Sequence, residues 1–462
     1  MTAVPPDAGG AGSGDGPAPP SRLRRWTLPA SCAALAVAAI AALAVVSSPA
    51  HHRPAHPRTG APSSLADARG SGTGAPTVAA VQALLERHGA DVVHRDRAEF
   101  VADLDPDPAA ASYRKAQTAM FDNLADVPLA AWSYRVSAPV TGGDVLGRAA
   151  ARYHAPVLIA RIAFSYQLRG VDPSPTEHDD WLTFVRRGGH VRIASDADLA
   201  DQGGSSWHGP WDFGPVSVYR GAACLLLAHP GDVTELAGLA AVVDAAVTAV
   251  TAVWGPDWSR RVAVFVPATA GELQAVLGGP PGTDTAAQTI GDPNNPRTGL
   301  RVVLDPDAGT RLSPIGLRIV LRHEITHVAA WSATNQNLPT WLVEGFADYV
   351  GNLDSGQPVT VAAAELRAQL RSGPVPAALP TTADFDQAGT RLPAVYEQAW
   401  LACRLIASLA ASAGLVRVYH LAAATTGSPD DGVDHALRTV VHMTLGQFTA
   451  RWQQYLRTEL AR

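Results

Sequence analysis

"SPIGLRIVLRHEITHVAAWSATNQNLPTWLVEGFADYVG", residues 313–351, reads as two helices joined by a polar turn. Ser313 suits an N-cap and Pro314 the first helical position, so a helix is predicted to start there and carry "HEITH". Pro339 and Thr340 open a second helix, and Gly351 is expected to close it. His323 and His327 are four residues apart, just over one turn, so their rings project from one face and can grip one cation. Glu324 is turned about 100° from His323, which sets its carboxylate beside such an ion. From there it can take a proton from an attacking water and pass it to a leaving amine. A catalytic zinc takes three protein ligands and keeps one position open. Glu344, with 16 residues between it and His327, is the candidate third ligand, since that separation allows a return loop and a packed second helix. Asp348, one turn further on, can accept the free ring N–H of a ligating histidine and fix its tautomer.

"HEITHVA" followed by "LPTWLVEGFADYVG" resembles the gluzincin metallopeptidases, in particular the bacterial peptidase-MA-like group. The similarity runs from about residue 235 to the end and includes "WGPDWSRRVAVFVPA", "RVVLDP" and "HMTLGQFTARWQQYLRTEL". The resemblance implies Zn2+ held by His323, His327 and Glu344, with Glu324 as general base and Asp348 behind the ligands. It also implies a zincin-type domain over residues 226–462, with a small sheet and a mostly helical C-terminal half. A metzincin-type third histidine is excluded, because position 333 is alanine. No G-x-M-E-N segment of the aminopeptidase N-like enzymes lies upstream, which argues against an aminopeptidase and its amine-binding glutamate, while endo- and exopeptidase action both stay open. Tyr396, in "PAVYEQAW", sits where relatives carry a tyrosine whose hydroxyl donates to the developing oxyanion. A core tyrosine beside Trp400 is the other reading of that residue. Family architecture also makes the strand around residues 286–290 the edge that pairs with an extended peptide. His420, His435 and His442 have no ligand spacing.

The elements around this pair are legible locally. "DVTELAGLAAVVDAAVTAVTAVWG" reads as a long helix ending at Gly255, "RRVAVFVPA" as a buried strand and "AGELQAVLGG" as a helix. "AAQTIGD" and "GLRVVLDPD" read as strands. Upstream, residues 77–225 read as helices followed by an antiparallel sheet that includes "GPVSVYRGAACLLLAH". "RRGGH" is the hairpin signal within it. With "AEFVADLD", "FDNLADVPLAAWSYRV" and "HVRIASDAD", this region resembles the nuclear-transport-factor-two-like cone fold, which implies a curved sheet wrapped around a helix. His178, Asp179 and Asp180 are expected in a polar loop before a strand rather than around a metal.

Residues 28–46 carry no charge over 19 positions, about the length that crosses a bilayer core of roughly 30 Å. Arg22, Arg24 and Arg25 precede the run, so the positive-inside rule holds the N-terminus in the cytoplasm and exports the rest. A cleaved signal peptide is the alternative. The expected organisation is a disordered cytoplasmic tail (1–25), a single transmembrane anchor (26–48), a flexible linker (49–76) and the two α+β regions, 77–225 and 226–462. His51, His52 and His56 belong to the solvated linker. The chain has 462 residues, 47% of them apolar, and a net charge of −6, which argues against nucleic acid as a partner. Cys32, Cys224 and Cys403 include no C-x-x-C pair, so a cysteine metal site is not expected, while a Cys224–Cys403 disulfide and two free thiols both stay open.

Two functions follow as expectations. One is a membrane-anchored, extracytoplasmic zinc metallopeptidase acting on a peptide or protein. The other is a non-enzymatic surface protein that binds a ligand or partner and carries a structural or vestigial metal site.

Overall fold

The computed structural model describes residues 74–461 apart from 232, 282–285, 293–294 and 296–297. The expected tail, anchor and nearly all of the linker, with Cys32, His51, His52 and His56, lie outside the described residues. The fold is mixed α+β with small sheets and a helical C-terminal half.

The chain opens with α1 (Val78–His94), capped by the Thr77 hydroxyl accepting from Ala80 N, and continues through α2 (Ala111–Asn123). Four strands then pair antiparallel in the order β1 (Leu129–Pro139), β2 (Val157–Leu168), β3 (Thr176–Arg187) and β4 (His190–Ser195). The β3–β4 turn is the predicted hairpin: Gly188 and Gly189 have φ of 58° and 83°, values that suit a residue with no Cβ. "EHDDW" is not a loop. It lies inside β3, where His178 and Asp180 turn inward and Asp179 turns outward to pair with Arg161. The run of polar residues hid a regular two-residue alternation.

The second sheet has the order β5 (Ser217–Arg220), β6 (Cys224–Ala228), β7 (Val262–Val266), β9 (Arg301–Leu304), β8 (Ala287–Ile290). β6, β7 and β9 run parallel, while β5 and β8 are antiparallel edges. α3 (Val233–Trp254) links β6 to β7, and α4 (Ala270–Leu277) follows β7. The boundary expected after residue 225 therefore falls inside β6. β5 and β6, read from sequence as strands of the upstream sheet, belong to this second one.

The parallel strands are apolar on both faces because both faces are buried. Leu226, Val264 and Val302 join one core with α3 and the C-terminal helices. Their immediate neighbours Leu225, Leu227, Ala263, Phe265 and Val303 join another core with Trp132, Phe164 and Tyr166 of the first sheet. The second sheet is thus a wall shared by both regions.

α5 (Pro314–Ala330) starts as predicted, with Ser313 Oγ accepting from Gly316 N at 3.1 Å and Pro314 in the first turn. α6 (Thr340–Asn352) runs past Gly351 rather than ending there. Gly351 instead allows close packing, since a Cβ there would stand 3.0 Å from Ile319 O on α5. The long α7 (Leu392–Ala424), α8 (Pro429–Val440) and α9 (Leu445–Leu460) complete the fold, and α9 buries Phe448, Trp452, Leu456 and Leu460. Two described helices, Thr234–Trp254 and Gly389–Ala424, are long and apolar enough to cross a membrane by length and composition. A helix packed deep in a core has the same composition, and both contribute side chains to the core that holds α5.

Candidate metal centre

α5 and α6 lie side by side, and their facing surfaces carry the acids and imidazoles singled out by sequence. His323 is fully buried, and Glu324, His327, Glu344 and Asp348 are nearly so. Close packing holds α6 in place on both sides. Gly351 faces α5, and a Cβ on Gly345 would lie 2.4 Å from Ala399 O on α7. Glu344 and Asp348, one turn apart, are thereby pressed toward the histidines.

The Nε2 atoms of His323 and His327 lie 3.0 Å apart. Glu344 Oε2 is 3.4 Å from the first and 3.6 Å from the second. His323 Nδ1 lies 2.8 Å from Asp348 Oδ1. A carboxylate accepts only, so this contact places the ring proton on Nδ1 and leaves the Nε2 lone pair facing the other donors. Glu344 Oε2 is buried and accepts no hydrogen bond, and the same holds for Glu324 Oε1. Two imidazole nitrogens and a carboxylate oxygen without a hydrogen bond, all within 3.6 Å of one another, are an arrangement that a cation satisfies. His323, His327 and Glu344 can hold a metal ion, and they are the three-residue group of this kind found among the described residues.

The electrostatics agree. Burial alone lowers the His323 pKa, but Asp348, Glu344 and Glu324 outweigh it and raise it well above the usual value. Burial raises Glu344, yet His327 and His323 hold it down to about 2. Glu324 is pushed above the ordinary carboxylate value, chiefly by burial. The site carries more carboxylate than the imidazoles can balance, which is the field a positive ion needs.

Tyr396, on α7, is brought to the same place. Its ring centroid is 6.5 Å from that of His323, and it packs edge-on against Phe385. Burial raises its hydroxyl pKa well above the usual value, and the nearby Glu344, Asp348 and Glu324 push the same way, so it keeps its proton. The other histidines do not join: His420 packs at 4.7 Å against Trp254, and His435 and His442 lie on and after α8. Cys224 and Cys403 are both buried free thiols, which settles the pairing left open by sequence.

One member was missed. Thr289, on the edge strand β8, brings its Oγ1 to 2.7 Å from Glu324 Oε2 and 3.0 Å from the Glu324 carbonyl oxygen. The only signal was a polar residue at a buried position of "AAQTIGD". Compared with family models, curated proteins and solved structures, the chain matches none.

Proposed function

We propose that this chain is a zinc metallopeptidase of gluzincin type. The observation that carries the proposal is the triangle of donors, 3.0, 3.4 and 3.6 Å on its sides, with an unpaired Glu324 oxygen beside it. Tetrahedral bonds of about 2.0–2.1 Å separate ligand atoms by roughly 3.3 Å, so the triangle has the size zinc requires. Three protein donors leave the fourth position open, as in catalytic rather than structural sites. A bound zinc supplies Lewis acidity to the attacking water and to the peptide carbonyl.

The protein groups do the rest. Asp348 holds the His323 tautomer and ring orientation. Thr289 fixes one Glu324 oxygen and leaves the other to accept a proton from water. That water's oxygen then bonds to the carbonyl carbon. Glu324 delivers the proton to the amide nitrogen as the C–N bond breaks. Tyr396 donates its hydroxyl hydrogen to the oxygen that gains charge. β8 offers a free edge along which an extended peptide can pair. In this reading the four-stranded region is a cone-like fold of nuclear-transport-factor-two type, and the segment 26–48 anchors the chain with its peptidase outside the cytoplasm.

The test is metal content and peptide-library hydrolysis by the full-length solubilised protein, with and without chelator. About one zinc per chain is expected. Glu324→Gln should keep the metal and lose about 10²–10⁴-fold in turnover. Full zinc occupancy in a His323→Ala, His327→Ala double variant would overturn the assignment. Metal binding with no turnover on any peptide would favour instead the non-enzymatic surface protein.

A further inference from the structure

A second built cavity lies away from the metal centre, in the four-stranded region. It holds about 40 Å³ and is walled by Tyr113 and His88 from α2 and α1, by Trp132, Tyr134 and Phe164 from the sheet, and by Trp207 and Trp211 from the segment after β4. Three carboxylates also line it, Asp180, Asp196 and Asp212, with His208 beside them and neither lysine nor arginine. Asp180 is nine-tenths buried, with one oxygen accepting from Trp207 N at 3.1 Å. Asp212 Oδ2 accepts from Gly209 N at 2.9 Å. Each contact fixes a carboxylate and leaves its other oxygen without a hydrogen bond from the protein.

His88 is a further buried polar group in the same wall. It is only 2% exposed, lines the same cavity, and its Nδ1 makes no hydrogen bond. Its Nδ1 stops 3.7 Å short of Asp103 Oδ2 while the ring stacks on Phe100 at 4.1 Å. A buried polar atom held short of a hydrogen bond is costly.

We propose that this cavity binds the primary ammonium head of an alkylamine. An ammonium carries three donors and a full charge, which answers three carboxylates with spare oxygens. Aromatic faces attract a desolvated cation through their quadrupole, and this box supplies six such rings. Size selects the head group. A water needs about 10–15 Å³ of such space, so about 40 Å³ admits a CH2–NH3+ end and is tight for a quaternary ammonium. Asp196, His208 and Asp212 are only half-buried, so the alkyl stem leaves on their side. Burial pushes Asp212 up to about 6 and raises Asp180 and Asp196 as well; neighbouring carboxylates add to each shift, while His208 opposes it at Asp212 and Asp196. A cation entering between them removes that conflict. The proposal does not rest on the peptidase reading, since no group of the metal centre takes part.

The experiment is calorimetric titration of the full-length protein with n-butylamine, with n-butanol as the uncharged counterpart and tetramethylammonium as the oversized cation. N-acetyl-lysine amide and cadaverine then tell a lysine side chain from a free amine. Butylammonium should bind while butanol does not, and tetramethylammonium should bind more weakly. Asp180→Asn, which keeps an acceptor for Trp207 N–H, should weaken butylammonium binding about 10–100-fold. Its melting temperature should stay level or rise, because a buried acid has been removed; a merely structural role would lower it. Equal binding of butanol, undiminished binding by Asp180→Asn, or failure of every primary amine to bind at millimolar concentration would each overturn the proposal.

Discussion

Gly345→Ala is the sharpest test of how the metal centre is held. The new methyl carbon would stand 2.4 Å from Ala399 O, 2.6 Å from Ala399 C and 3.0 Å from Cys403 Sγ. Non-bonded carbon atoms prefer about 3.5–4.0 Å, and two of the three obstacles are backbone that no rotamer change can move. α6 and α7 must therefore separate locally by about 1 Å. Overpacking of this kind costs about 1–3 kcal/mol; in a chain this large that is a fall of roughly 1–6 °C in Tm. Glu344 is the preceding residue and moves with the helix. Metal–ligand distances hold to about ±0.2 Å, so a 1 Å displacement is several times the tolerance, and metal affinity should fall at least about tenfold. Gly351→Ala is the internal control. Its methyl would meet Ile319 O at 3.0 Å, a gap that a few tenths of an ångström relieve, so its losses should be clearly smaller. The assays are differential scanning calorimetry and competition with a fluorescent chelator. A Gly345→Ala protein with wild-type Tm and wild-type metal affinity would refute the packing argument.

Asp348→Asn should lower metal affinity about 10–100-fold, because the amide no longer fixes the His323 ring by accepting as a carboxylate does; chelator competition equal to wild type would remove Asp348 from the site. Arg301, 1% exposed, grips Asp172 through two contacts of 2.6 and 2.7 Å. Arg301→Met leaves that carboxylate buried and unpaired, so urea unfolding should show a loss of about 3–5 kcal/mol, mostly restored by adding Asp172→Leu; a double variant as unstable as the single one would contradict this. His178 is held down to about 3, first by burial and then by Arg301. The unfolded chain takes up a proton near pH 6.5 and the folded one does not, so the stability from a neutral His178 is present above 6.5. It is lost as pH falls toward 3, at about 1.4 kcal/mol per unit. His178→Phe keeps the stack on Trp207, 3.9 Å away, and should flatten that acid slope; unchanged slopes between pH 4 and 7 would disprove the assignment.

What sequence disclosed here is what depends on neighbours along the chain. The Ser313 cap, the four-residue histidine spacing, the second helix at Thr340 and the Gly188–Gly189 turn are local facts, and each appears where expected. What stayed hidden depends on partners distant in sequence. "CLLLA" is apolar throughout because β6 lies between two cores, and an all-apolar run does not say which sheet it joins. Residues 177–180 look like a loop because two of their polar groups find buried partners supplied by other segments, Trp207 N for Asp180 and the Trp207 ring for His178. Thr289 acquires meaning only when β8 passes beside Glu324, 35 positions later.

The same distance explains why the two regions act as one scaffold. Glu324 is oriented by Thr289, and Thr289 stands on an edge strand that, among the described residues, has a neighbouring strand on one side only. An edge strand of four residues has few ladder bonds to hold it. The first sheet supplies the rest. Glu177 N, at the start of β3, donates to Asp292 Oδ2 at 2.7 Å, two residues beyond the end of β8. Asp172, just after β2, holds Arg301 at the start of β9. Both ends of the β8–β9 connection are thus tied to the turn between β2 and β3. The carboxylate beside the candidate metal site is aimed by a strand whose position is set from the region that sequence alone reads as a separate domain.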